Sequence, residues 1–169
     1  MKILIIEDRK EMSEILADIF REISSEIHIA RTMTEAFRVL NERPVLDLIT
    51  VDIGLPDAAS REEVIDRIPD MRTLQQNAVI VVISGIINAD DEAMILKSGA
   101  DGVMMKWDVP TGETLLRRLL AIAKAIKETP TRLQRSIATA EFMAHRLAAF
   151  LDAHAENSRE SMRACLAFH

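Results

Sequence analysis

Five short runs dense in Ile, Val and Leu, separated by segments of helical length, constrain this chain more than any other feature. They are "KILIIE" (2–7), "EIHIA" (26–30), "LDLITVD" (46–52), "AVIVVIS" (78–84) and "GVMMK" (102–106). Strands this continuously apolar belong to a parallel sheet covered on both faces, because polar alternation disappears when neither face meets water. Strand and helix alternate along the chain, so the expected fold class is α/β, a doubly wound five-stranded parallel sheet.

The intervening segments carry their own signals. Met12, Ile15, Leu16, Ile19 and Ile23 recur at three- and four-residue spacing, which predicts a first helix with those side chains inward. "TMTE" and "SREE" place Thr32 three residues before Glu35 and Ser60 three before Glu63, the spacing of a capping box. Pro69 interrupts the third helix. "TGETLLRRLLAIAKAIKE" (111–128) predicts an amphipathic helix with Leu115, Leu116, Leu119, Ile122 and Ile126 inward. Beyond it Thr129 can cap and Pro130 can open a new helix, and Asn157 with Glu160 predicts the start of a last short one. The expected organisation is a domain over 1–128 and a two-helix C-terminal extension over 129–169.

Composition bounds the function. The apolar share is 49% and no apolar run approaches the roughly 18 residues of a membrane span. Met1 leads directly into charged sequence and Cys165 has no partner for a disulfide, which together predict a cytoplasmic protein. The formal charge is −6, with 16 basic against 23 acidic residues before Thr129. Without a clustered Lys/Arg stripe, direct nucleic-acid binding is not expected, nor is a membrane. No P-loop signature or Cys/His cluster occurs.

In an open parallel sheet, ligands collect beyond the carboxyl ends of the strands. The predicted strands end in Glu7 and Asp8, in Asp52, in Ser84 and in Lys106. Three carboxylates, a hydroxyl and an ammonium therefore converge on one rim. Mg²⁺ takes oxygen ligands near-octahedrally at about 2.0–2.1 Å and usually keeps several waters, so a few carboxylates suffice to hold it. Without a cation the three would repel one another.

The stretches "IIED", "LITVDIGLPD", "VVISG" and "KSGADGVMMK" resemble the receiver domain of bacterial two-component response regulators, the CheY-like branch of the flavodoxin-like folds, over residues 1 to about 128. The resemblance implies that Asp52 takes a phosphoryl group from a phosphohistidine to form an acyl phosphate. It implies Mg²⁺ held by Asp8 and Asp52, by Glu7 through water and by the carbonyl of Gly54. Lys106 and Ser84 then serve the phosphoryl oxygens, and Gly85 leaves room for the donor. Expected partners are a histidine kinase or histidine phosphotransfer protein and a downstream protein target. Such a domain phosphorylates itself without turning over an external substrate, and so is not an ordinary enzyme.

Two positions depart from the family pattern. Val103 stands where an aromatic switch residue is common, and Trp107 stands where a proline commonly follows the lysine through a cis bond. A cis bond before a non-proline costs about 2.5–4 kcal/mol, so Lys106–Trp107 is expected to be trans. These departures keep a second function open, a phosphorylation-independent interaction or dimerisation module. A flavin-binding relative is disfavoured, since "EDRKEMSE" opposes a phosphate-cradling loop in charge. The tail stripe of Leu133, Ile137, Ala140, Ala144, Leu147 and Leu151, widened by Met143 and Phe150, either folds back on the receiver or pairs two chains as a homodimer. "AHRL" only faintly resembles a phosphotransfer motif, because Ala148 and Ala149 replace the expected lysine and glycine, so His145 is not expected to be a phosphohistidine.

Overall fold

The computed structural model describes residues 1–42, 45–108, 112–127 and 134–166. Five parallel strands, β1 (Lys2–Ile6), β2 (Glu26–Ala30), β3 (Leu48–Val51), β4 (Val79–Ser84) and β5 (Gly102–Met105), form one sheet in the order β2-β1-β3-β4-β5. Each agrees with an expected run to within two residues. The sheet divides the core into two apolar layers because successive side chains of a strand point to opposite faces. Ile3, Ile5, Leu48, Val81 and Ile83 enter one layer, while Leu4, Ile6, Ile49, Val51 and Val82 enter the other.

Helices α1 (Lys10–Arg21), α6 (Gly112–Lys127) and α7 (Gln134–Leu166) cover the first layer. In α1 the buried side chains are Ser13, Leu16, Ala17 and Phe20, with Ile23 just beyond. Ile15, expected inward, is instead 49% exposed. At 100° per residue it lies roughly 150° from the centre of that buried face, whereas Met12 and Ile19 lie at its margin. The expectation for α6 is met, with Leu115, Leu116, Leu119 and Ile126 buried and Ile122 partly so.

The second layer is covered by α2 (Met33–Asn41), α3 (Arg61–Asp66), α4 (Ile68–Leu74) and α5 (Ala89–Lys97). The interruption expected at Pro69 is a break between α3 and α4 at Arg67, with the proline in the first turn of α4, where a missing N–H costs nothing. Thr32 and Ser60 cap as expected, accepting from the Glu35 and Glu63 N–H. Their glutamates close back one residue earlier than a capping box requires, on the N–H of Arg31 and Ala59. The reciprocal box occurs at the start of α5, between Asn88 and Asp91.

Past α6 the structure corrects one expectation. A new helix does not start at Asn157; α7 runs unbroken from Gln134 to Leu166. Its sequence holds no Gly or Pro, and an interior Asn costs under about 1 kcal/mol, too little to break a helix. Thr129, Pro130 and Leu133 lie outside the described residues, as does the side chain of Ile137. Ala140, Met143, Leu147 and Leu151 are buried in the same layer as α6 and the sheet, so the tail stripe folds back on the body. Among the described residues, no helix is long and apolar enough to cross a membrane.

Candidate functional site

Backbone pairing carries the acidic residues past the strand ends before any side chain acts. The Glu7 N–H donates to Ala30 O at 2.9 Å and the Asp52 N–H to Ile6 O at 2.8 Å, extending the β1–β2 and β1–β3 ladders by one residue each. Glu7 and Asp52 are buried and Asp8 is half-buried. One carboxylate oxygen from each of the three lies within 4.8 Å of the others. Oxygen donors at that spacing fit a hard divalent cation that keeps some of its waters.

Lys106, directly after β5, supplies the counter-charge. Its Nζ lies 2.6 Å from Asp52 Oδ2 and 2.7 Å from Glu7 Oε2. Burial pushes the Glu7 carboxyl up, and the neighbouring Asp52 adds to this, against the pull of the Lys106 ammonium and the Arg9 N–H. Burial by itself would lower Lys106, but its hydrogen bonds to Asp52 and Glu7 and their charges outweigh it and raise the ammonium above the ordinary lysine range. The ammonium thus bridges two of the three clustered carboxylates.

The remaining expected residues fall around this cluster. Ser84 ends β4, is buried, and stands in register with Met105, the residue before Lys106. The Gly54 N–H donates to Asp52 Oδ1 at 3.2 Å, which turns the loop after β3 around the carboxylate. A Cβ built at Gly85 would meet no heavy atom within 4 Å, so the approach beside it is open. Every described peptide bond is other than cis, including Lys106–Trp107, as expected. Trp107 is 60% exposed in a short 3-10 turn (Lys106–Asp108), and Val103 packs partly buried against the second core layer.

Two residues with a part in this rim escape a reading of the sequence. Asp57, in the loop after Asp52, accepts from the Met33 and Thr34 N–H at 2.8 and 3.0 Å and from the Thr34 hydroxyl. Arg61, first residue of α3, reaches the loop after Ser84. Their partners lie more than twenty residues away, beyond any local pattern; "PDAASREE" shows only a turn and a cap.

An open parallel sheet with an acidic trio and a lysine gathered at its carboxyl rim defines the CheY-like class of two-component signalling folds. A family model described as response regulator receiver domain matches residues 3–117, and the chain belongs to that family. It is similar to a two-component response regulator from Clostridium difficile, 25% identical over 73% of this chain and 96% of that one, at TM-score 0.63. A CheY-like receiver domain protein from Methanospirillum hungatei JF-1 is 23% identical over 76% of this chain and 98% of that one, at TM-score 0.62. A response regulator from Burkholderia pseudomallei, solved with a phosphorylated aspartic acid, calcium ion and citrate, is 18% identical over 82% of this chain and 96% of that one, at TM-score 0.56. No curated protein matches the chain.

Proposed function

We propose that this receiver accepts a phosphoryl group on Asp52 from a histidine kinase or histidine phosphotransfer protein in the cytoplasm and signals through protein contacts. Residues 1–128 are taken as the receiver and 129–169 as its helical extension. The observation that carries the reading is the meeting of Glu7, Asp8, Asp52 and Lys106 at one rim.

An Asp52 carboxylate oxygen attacks phosphorus, the P–N bond to the donor histidine breaks, and the imidazole leaves with the electron pair and takes a proton from solvent. Phosphoryl transfer demands little covalent work from a protein and depends on alignment and charge stabilisation. Lys106 stands 2.6 Å from the attacking carboxylate, close enough to turn to a phosphoryl oxygen. Ser84 donates its hydroxyl to another and draws the following loop with it. Glu7, Asp8, Asp52 and the Gly54 carbonyl would hold Mg²⁺, which when bound supplies positive charge to the phosphoryl oxygens. The domain performs one transfer onto itself and turns over no external substrate.

Val103 and the exposed Trp107 favour a second reading, an interaction module that works without phosphorylation. A homodimer through the tail would have to use some other surface than the stripe of Ala140, Met143, Leu147 and Leu151, which is spent within the chain. Incubation with Mg²⁺ and a small phosphodonor, followed by intact mass measurement, separates the two functions. A phosphoryl adduct on the wild type that vanishes in Asp52→Asn is expected. An unmodified wild type favours the interaction module.

A further inference from the structure

Arg61 opens α3, the ninth residue after Asp52, and reaches sideways to the connection between β4 and α5. Its Nη2 donates to the Ile86 carbonyl oxygen and lies 3.3 Å from Asp91 Oδ2 in the first turn of α5. The connection is otherwise held by its own residues: Ile87 is buried in the second core layer, and Asn88 and Asp91 cap α5 reciprocally. Arg61 thus links the element that follows the phosphoacceptor to the loop that follows Ser84. Its own base is fixed, since the Ser60 side chain caps α3 immediately before it.

Consecutive Cα atoms are held about 3.8 Å apart, so an inward movement of Ser84 drags Gly85 and Ile86 with it. The Ile86 carbonyl cannot follow without changing its contact to an arginine anchored on another helix. Resting on the phosphoacceptor reading, we propose that Arg61 is a positioning residue that holds the Ser84 loop in its unphosphorylated arrangement and so sets how readily the phosphoryl group is accommodated. An interaction made in one of two states lowers the apparent affinity of any ligand that selects the other. Removing Arg61 should therefore tighten binding of a phosphoryl mimic, whereas general damage to the site would weaken it.

The test compares wild type, Arg61→Ala and Arg61→Lys, each alone and with Ser84→Ala, by titration with beryllofluoride in the presence of Mg²⁺. Amide hydrogen exchange is followed over 85–88 in parallel. Arg61→Ala should exchange faster there and bind the mimic about three- to tenfold more tightly, the worth of one ordinary hydrogen bond. Arg61→Lys, which keeps the charge without the fork, should fall between it and the wild type. The gain should vanish on the Ser84→Ala background. Unchanged exchange, unchanged or weaker binding of the mimic, or a gain that survives Ser84→Ala each overturns the proposal. Failure of the wild type itself to bind beryllofluoride instead removes the phosphoacceptor reading, and this inference with it.

Discussion

At Lys106 a single ammonium answers two buried carboxylates, with the half-buried Asp8 close by. Removing one partner of a buried ion pair leaves uncompensated charge, so Lys106→Met should destabilise the metal-free protein by about 3 kcal/mol near neutral pH, measured by urea unfolding in chelator. The same substitution should tighten Mg²⁺ binding, followed by the fluorescence of the lone Trp107, because it removes a positive charge from beside the carboxylates that would hold the ion. The pH dependence has a definite sign. A lysine raised in the folded state contributes stability that is complete below its unfolded value of about 10.4 and is lost as pH rises through the folded one. The gap between wild type and Lys106→Met should accordingly narrow above that pH. The meeting of these residues at one rim was legible in the sequence because each ends an apolar run, where topology alone decides the location. Arg61 and Asp57 were not, since nothing local distinguishes a side chain that will meet a distant backbone.

Elements joined across the fold show where such contacts matter. Asp57 ties the loop after Asp52 to the N-terminus of α2, serving two N–H groups that Thr32 leaves open. Desolvation pushes the carboxyl of this exposed residue up, but hydrogen bonds from Thr34 and Met33 prevail and hold it below the usual carboxylate range. Asp57→Ala should cost about 1 kcal/mol by denaturant unfolding. That cost should be full above about pH 3.9, the unfolded value, and fade as pH falls through the lower folded one. Between β5 and α6 the fit is tighter still: a Cβ at Gly102 would stand 2.4 Å from Ile122 Cδ1 and 2.8 Å from its Cγ1. Gly102→Ala should lose about 1–2 kcal/mol through overpacking, and Ile122→Val should restore part of it, seen as a recovered melting temperature in the double variant. The positions of β1, β3 and β4 were readable because both faces are buried and the runs are uninterrupted. Ile15 misled because three- and four-residue spacing admits two neighbouring faces, and the choice falls to Phe20 and Ala17, which the pattern around Met12 omits. Asn157 misled because a residue favoured at caps is also tolerated inside a helix when no proline or glycine stops it.

In the molecule as a whole, α7 is a structural member of the body. Met143 and Leu147 are fully buried between α6 and the sheet layer that holds Ile3 and Ile5 of β1. Leu147→Ala should therefore cost about 3 kcal/mol in global stability, as a core truncation does, with a single unfolding transition by circular dichroism and by Trp107 fluorescence. A tail that merely decorated the receiver would yield no such loss. The sequence showed the stripe but left its partner open, because an apolar helix face is equally suited to its own body or to another copy. The shared layer bears on how the polypeptide acquires its shape during synthesis. β1 is translated well before α7, yet residues of both enter one core layer. A nascent chain paused after α6 would present a finished sheet with the part of one layer that α7 covers still wet, open to chaperones, until translation of that helix closes it.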